Sequence, residues 1–510
     1  MSDMKRKMMD TLLRWKADPN KVGLVVSGAR QTGKTYIISE FGKEEYDSFL
    51  TINFSTNPNA KEIFEGDLTA DSIFEELGYR YPDFKPTKGR SLLFLDEIQM
   101  CDDARSAMKP LVEDGRCDVI ASGSLLGVTS LKRSEKEGLY WRRSWIKGAA
   151  GEYVHESTET QADIDPTAMV HERFQQGRER VSSMGYETLV RMYPMDFEEY
   201  LWALGFSERQ TSDIRRHISE KVPFTESTLR SLFRYYRQYM IIGGMPAAVM
   251  QSLQSPEGVL RVQRDIRSGY SEDILRYVPD DIKPGVIGCL DSIPRNLKRS
   301  SMKLRFVDIE GKENMGWREY ADPLTWLDAS GMVTVCNALT EPVRPLAFNV
   351  GRAFKLYMAD QGVLMAMLDD ADRQAVLEGS GYANIGSLTE HMVANMLEKC
   401  GVELYYFERN KTENGVTDRI GVDFVASLGM DLVAIEVKSG SNRRSSSLRK
   451  LMTDRRYEMY HFDRFVKLEQ GNIHTDEDGV EHYPIFAAAF ADSMGRKPSL
   501  EFGGYEDLEL

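Results

Sequence analysis

The sequence lacks any apolar run of about 18 residues, the length a helix needs to cross a bilayer. With 28% of its 510 residues charged, it reads as a soluble chain and not a membrane one. Cysteine is scarce. Cys101, Cys117, Cys289, Cys336 and Cys400 are scattered, with no CxxC pair. That excludes a disulfide scaffold and a thiolate metal site, and it fits buried thiols in a reducing cytoplasm. The seven histidines show no HxxxH spacing, so a zinc hydrolase is not expected. Positive charge is short as well: 65 Lys and Arg stand against 79 Asp and Glu, a net charge of −14. Such a field repels phosphate at long range and excludes a general nucleic-acid coat. It leaves room for local basic surfaces at 131–148, 295–305 and 441–456, each of which reads equally well as a solvated face. There is no internal repeat and no long low-complexity tract. The opening "MSDMKRKMMDTLLRWKADPN" has no secretory core or small-residue cleavage site. It reads as an amphipathic helix with Met8, Leu12, Leu13 and Trp15 on its apolar side. The length allows about three domains.

What is present begins with "GARQTGKT". Gly28, Gly33, Lys34 and Thr35 complete the pattern G-x-x-x-x-G-K-[ST], with a short apolar strand before it ("GLVVS") and a helix start after it. The glycines let the backbone curl so that its amides face a phosphate, and the positive end of the helix adds to the attraction. Lys34 can reach the β- and γ-phosphates of ATP, and the Thr35 hydroxyl can bind Mg²⁺. Such a loop needs a carboxylate for the metal's water shell. "SLLFLDEIQM" supplies Asp96 at the end of an apolar strand suited to the middle of a parallel sheet. Glu97 beside it is placed to polarise an attacking water, which only a hydrolase requires. "DVIASGSLLGV" reads as a further strand with Ser122 and Ser124 at its end, where a hydroxyl can meet water near the γ-phosphate; a plain Gly-Ser turn fits the same spacing.

"GARQTGKT", "LLFLDEIQ", "VIASGSLLGV", "RMYPMDFEEYLWALG", "YYRQYMIIGGMPAAV" and "FKLYMADQGVL" resemble a bacterial and archaeal family of AAA-type ATPases that carry a nuclease-like fold at the carboxyl terminus. The resemblance covers nearly the whole chain and implies an α/β architecture. An AAA-type P-loop domain with a parallel sheet would span 1–222, interrupted by a charged insertion at about 129–185. A helical lid would follow at 223–280. The order helix, helix, strand pair over 281–350 is that of a winged-helix-like connector, and 351–510 would be an α/β restriction-endonuclease-like domain. The resemblance also implies a ring or dimer in which a neighbour supplies an arginine finger, and Arg142, Arg143 and Arg191 are all possible sources. Lid arginines 264, 267 and 276 read either as nucleotide sensors or as a solvated helix face.

The carboxyl-terminal segment "RIGVDFVASLGMDLVAIEVKSG" reads as a hairpin turning near Gly429. Alternation sets Glu436 and Lys438 on one face of its second strand, and Asp423 on the partner strand can meet them. The helical stretch "GSLTEHMVANMLEKC" adds Glu390. Phosphodiester hydrolysis needs a hard divalent cation on oxygen ligands. Asp423, Glu436 and Glu390 can supply them for Mg²⁺ or Mn²⁺, with Lys438 orienting the hydroxide. Together these four residues resemble the active site of the PD-(D/E)XK nuclease superfamily. Two functions follow: an ATP-driven, metal-dependent nuclease acting on DNA or RNA, or an ATP-controlled interaction switch whose nuclease-like domain only docks a partner. Beyond about residue 465 a strand, an acidic turn and another strand are expected, with no function legible in them.

Overall fold

The computed structural model describes residues 4–124, 180–181, 186–297, 309, 317–378, 385–413, 416–440 and 446–496. Arg142, Arg143, most of the 129–185 stretch and much of the basic stretches near 300 and 445 lie outside them. Among the described residues no helix is long and apolar enough to cross a membrane.

The chain divides into two compact units. The first comprises residues 1–195, 243–291 and 306–333; the second comprises 196–242, 292–305 and 334–510. Contiguous segments were expected, but the 223–280 stretch divides after Ile242. Its first helix, Glu226–Ile242, groups with the second unit, and the helices Pro246–Gln254 and Val259–Tyr277 group with the first.

The first unit is built on strands β1 (Gly23–Ser27), β2 (Ser48–Asn53), β3 (Ser91–Asp96), β4 (Asp118–Gly123), β5 (Arg180–Val181) and β6 (Glu187–Arg191), in the order β2-β3-β4-β1-β6-β5. The pairs β2/β3, β3/β4, β4/β1 and β1/β6 are parallel, and the short β5 runs antiparallel to β6. β3 is buried from end to end, as the unbroken run Leu92–Leu95 requires of a strand covered on both faces. Leu93 and Leu95 point into one apolar cluster, Leu92 and Phe94 into the other, which is the period-two alternation of a strand. The opening helix is Lys7–Ala17. Met8 and Leu12, four apart, are buried in it, whereas Leu13, expected on the same side, is 39% exposed. One step of 100° carries Leu13 off the stripe that i and i+4 share.

The second unit holds an eight-stranded mixed sheet: β7 (Val333–Leu339, all but its first residue), β8 (Val350–Met358), β9 (Tyr405–Glu413), β10 (Val416–Leu428), β11 (Asp431–Val437), β12 (Arg464–Glu469), β13 (His474–Thr475) and β14 (Glu481–Pro484). Its order is β13-β14-β12-β11-β10-β9-β7-β8. β10/β11 is the expected hairpin, with Gly429 at φ +59° in its turn. β11/β12 and β12/β14 are parallel. Of the two strands read as a wing over 281–350, the first is β7, a member of this sheet that pairs in parallel with β9 through Asn337–Leu339, and the second, at 345–350, is a 3-10 turn, Leu346–Asn349, that leads into β8. The apolar content of β7 is what an interior strand needs, and sequence order alone does not reveal a partner so far along the chain.

Candidate functional site

In the first unit the sheet delivers its polar residues to one edge, at the carboxyl ends of the strands. Register sets Asn53 beside Asp96 and Val26, at the end of β1, beside Ser122. Between Ser27 and the helix Lys34–Glu45 lies the phosphate loop. Gly28 has φ +145°, and a Cβ there would stand 2.1 Å from the Met192 carbonyl oxygen. Gly33 has φ +95°. No other residue type meets both demands at Gly28. The Arg6 guanidinium braces the loop, donating to the Thr32 carbonyl (2.8 Å) and to the Tyr193 carbonyl (2.7 Å). Lys34 is buried and its Nζ donates to the carbonyls of Gly28 (2.9 Å) and Ala29 (2.8 Å). Burial pulls its pKa down to about 8, against the opposing charges of Glu97 and Asp96.

Asp96 is the hub. Its Oδ2 accepts from Thr35 Oγ1 (2.9 Å) and Asn53 Nδ2 (2.6 Å), and its Oδ1 accepts from Ser122 Oγ and from the Glu97 amide (3.1 Å). A buried carboxylate with four donors is held in one orientation. Glu97 takes a left-handed backbone conformation, φ +55°. A residue with a Cβ is rarely found there, and such departures gather at working sites. Its carboxylate accepts from Gln99 Nε2, which lies 3.5 Å from Ser124 Oγ. The "Q" of "DEIQ" thus fixes the preceding acid. The helix Val259–Tyr277 contributes Asp273, whose Oδ1 pairs with Arg30 of the loop at 2.8 Å while its Oδ2, also buried, has no hydrogen-bond partner. Burial raises the Asp273 pKa, with Arg30 opposing. Arg267 pairs with Asp291 (3.0 Å), and Arg276 lies over the Tyr277 ring. Arg191 faces Asp328, with a 3.2 Å hydrogen bond to its carbonyl. Asn53, Gln99 and Asp273 went unread in the sequence. A polar residue at the end of an apolar strand was the available signal for Asn53.

In the second unit the four acid-site residues come together. Antiparallel register puts Asp423 opposite Glu436, one step from the Phe424/Ile435 pair. Asp423 Oδ2 accepts the Val437 amide at 2.8 Å. Glu436 is buried. Its Oε1 meets Lys438 Nζ at 2.7 Å, and its Oε2 has no hydrogen-bond partner. Glu390 enters from the helix Ile385–Lys399. Burial, then the charge of Glu390, pushes the Asp423 carboxyl up to about 6, while Lys355, the Val437 amide and Lys438 pull it back. The alternation read in β11 is present, but the strand is buried on both faces.

The sequence reading missed two further members. β8 brings Lys355 and Tyr357, and both donate to Glu390 Oε1 at 2.7 Å. Burial opposes the Lys355 charge, yet Glu390 and then Asp423 hold its pKa above the usual lysine range. Burial, then Glu390, raises Tyr357. Three carboxyls therefore face two lysines. That leaves about one negative charge uncompensated, together with an orphaned buried oxygen on Glu436. Such a set suits a single hard cation on oxygen ligands.

Residues 20–140 match a family model described as an AAA domain, and residues 233–374 match one described as a domain of unknown function (DUF8612). No curated protein matches the chain. Solved structures that align with it include a Walker-type ATPase of Pyrococcus abyssi (13% identical, over 72% of this chain and 96% of that one, TM-score 0.37). Another is the ORC1 protein of Aeropyrum pernix in complex with DNA (13% identical, over 74% and 92%, TM-score 0.25). A third is a signal-transduction ATPase with a tetratricopeptide repeat sensor from Pyrococcus horikoshii (11% identical, over 77% and 48%, TM-score 0.21). The AAA match takes in the phosphate loop, Asp96, Glu97 and Ser122. Residues 20–140 of the first unit thus match an AAA domain and carry the phosphate-loop pattern.

Proposed function

We propose that the chain is an ATP-hydrolysing AAA-type protein whose second unit carries a metal-dependent nuclease site acting on DNA or RNA. The observation that carries the second half is the convergence of Glu390, Asp423, Glu436 and Lys438 around an acid oxygen with no partner.

At the nucleotide site Thr35 and Asp96 offer adjacent oxygens, a set that fits hydrated magnesium. When bound with ATP, Mg²⁺ neutralises charge on the β- and γ-phosphates. Lys34 leaves the carbonyls of Gly28 and Ala29 to meet the same phosphates, whose charge opposes the burial that lowers its pKa. Glu97, aligned by Gln99, takes the proton of the attacking water, and Ser122 and Ser124 orient that water. At the second site Glu390, Asp423 and Glu436 would hold Mg²⁺ or Mn²⁺, which when bound lowers the pKa of its water and shields the phosphodiester. Lys438 turns from Glu436 to the nucleophilic hydroxide. Lys355 pairs with Glu390 and, with Tyr357, keeps it aimed.

A second reading, an ATP-controlled switch with a docking module, is favoured by one observation: Lys355 and Lys438 already satisfy two of the acids. The two readings part in one experiment. Lys34→Ala abolishes ATP hydrolysis under either. Glu436→Gln and Lys438→Ala abolish Mn²⁺-dependent cleavage of labelled DNA or RNA only under the first. Wild-type protein that cuts no single- or double-stranded substrate, with or without ATP, leaves the docking reading.

A further inference from the structure

The far edge of the second sheet gathers side chains that neither site uses. β12 ends in Glu469, and the hairpin of β13 and β14 returns beside it. Antiparallel register sets His474 directly opposite His482, and parallel register sets His482 beside Lys467. Residues level with one another on paired strands share a face, so His482, Lys467 and Glu469 share one. The two imidazoles stack with centroids 4.2 Å apart and planes tilted 26°. His482 Nδ1 meets Glu469 Oε1 at 2.7 Å, and donor atoms of Glu469, His474 and His482 all lie within 4.8 Å of one another. Lys467, fully buried, holds the other Glu469 oxygen at 2.7 Å. Asp476 Oδ2 stands 3.4 Å from His482 Nε2, and its Oδ1 accepts the amides of Asp478 and Val480.

We propose that Glu469, His474 and His482 bind one divalent cation of the zinc class, with Asp476 beside it. Ligands on one tetrahedral zinc stand about 3.3 Å apart, given bonds of roughly 2.0–2.1 Å, so shifts of an ångström or so close the set. Two imidazoles and a carboxylate select zinc, nickel or cobalt over magnesium. His474 is prepared for the role. Its Nδ1 meets the Asn472 carbonyl at 3.1 Å, the bond that leaves Nε2 as the bare acceptor a metal takes. On His482 the ion would take Nδ1, with the ring proton carried on Nε2 toward Asp476. Three protein ligands leave a fourth position for water. The ion ties a two-residue strand to β12, the neighbour of the strand that carries Glu436 and leads into Lys438. Two strand spacings, roughly 10 Å, separate the two groups.

The test uses the full chain, stripped with chelator and titrated calorimetrically with Zn²⁺ in excess Mg²⁺, which occupies the oxygen-only sites. One equivalent is expected to bind, weakened at least about tenfold by His474→Ala and by His482→Gln and unchanged by Glu436→Gln. With Co²⁺, the visible absorption of a low-coordinate cobalt site is expected in the wild type and absent from His474→Ala, whose exposed position leaves the fold intact by circular dichroism. Three results overturn the proposal: no uptake in excess Mg²⁺, uptake unchanged in both histidine variants, or uptake lost with Glu436→Gln.

Discussion

Glu97 and His391 show how single side chains are set by what lies against them. Glu97 sits in a left-handed conformation with its carboxylate bound by Gln99, so the role proposed for it depends on charge more than on size. Glu97→Gln is expected to keep ATP binding and lower hydrolysis by about 10²–10⁴-fold, the usual weight of a general base. Nucleotide affinity and turnover measured side by side check it; equal loss of both contradicts it. His391 is fully buried. Its Nε2 accepts the Met358 amide at 2.8 Å and its Nδ1 meets Gln361 Oε1 at 2.7 Å. Burial, aided by the charge of Lys399, pulls its pKa down to about 3, whereas an unfolded histidine titrates near 6.5. The native state therefore refuses a proton that the unfolded state accepts. The stabilisation is complete above about pH 6.5 and is lost as the pH falls toward 3. At about pH 5 the loss is roughly 2 kcal/mol. Urea midpoints at about pH 7 and pH 5 should show this extra loss in the wild type and not in His391→Gln.

At the scale of elements, the segment "GGMP" shows why some of this fold was legible. Gly243 has φ +75°, and a Cβ on Gly244 would stand 1.9 Å from the Met195 carbonyl oxygen. The Gly244 carbonyl accepts the Met195 amide at 2.7 Å. Two glycines are needed because two backbones touch. Gly244→Ala is expected to cost about 3 kcal/mol, the upper range for overpacking, seen as a lowered unfolding midpoint and weakened nucleotide binding. An unchanged midpoint would mean that the Met195 backbone yields freely. Local demands of this kind are written in adjacent letters, and so is the strand–loop–helix of Gly28 to Thr35. The β10/β11 hairpin was readable for the same reason, since a short turn fixes its register. Lys355 and Tyr357 were not, because β8 meets Glu390 only where the helix Ile385–Lys399, 33 to 35 residues further on, packs against it. Nor was the meeting of His474 with His482, which depends on where the loop 476–480 lets two short strands align. The winged-helix expectation failed on the same ground: helix, helix, strand, strand is an order, and order does not say which sheet a strand joins.

At the scale of the whole molecule, the question is where the positive charge for an ATP transition state comes from. Among the described arginines near the phosphate loop, Arg6 is spent on the Thr32 and Tyr193 carbonyls, Arg30 on Asp273, and Arg191 on Asp328. Each holds structure together, and redirecting one would strip a buried or half-buried group of its partner. If the proposed ATPase uses a γ-phosphate arginine, candidates outside this set are Arg264, Arg142, Arg143 and an arginine of a second copy of the chain. A net charge of −14 makes self-association costly at low ionic strength, and salt screening relieves that cost. ATP hydrolysis per chain is therefore expected to rise with protein concentration, and to do so at lower concentration in moderate salt. Particle mass should shift from monomer to oligomer when a non-hydrolysable ATP analogue is added. If specific activity stays constant across a hundredfold dilution while the mass stays monomeric, the arginine is supplied within the chain. Arg264→Ala, Arg142→Ala and Arg143→Ala then identify it, by loss of turnover with nucleotide affinity kept.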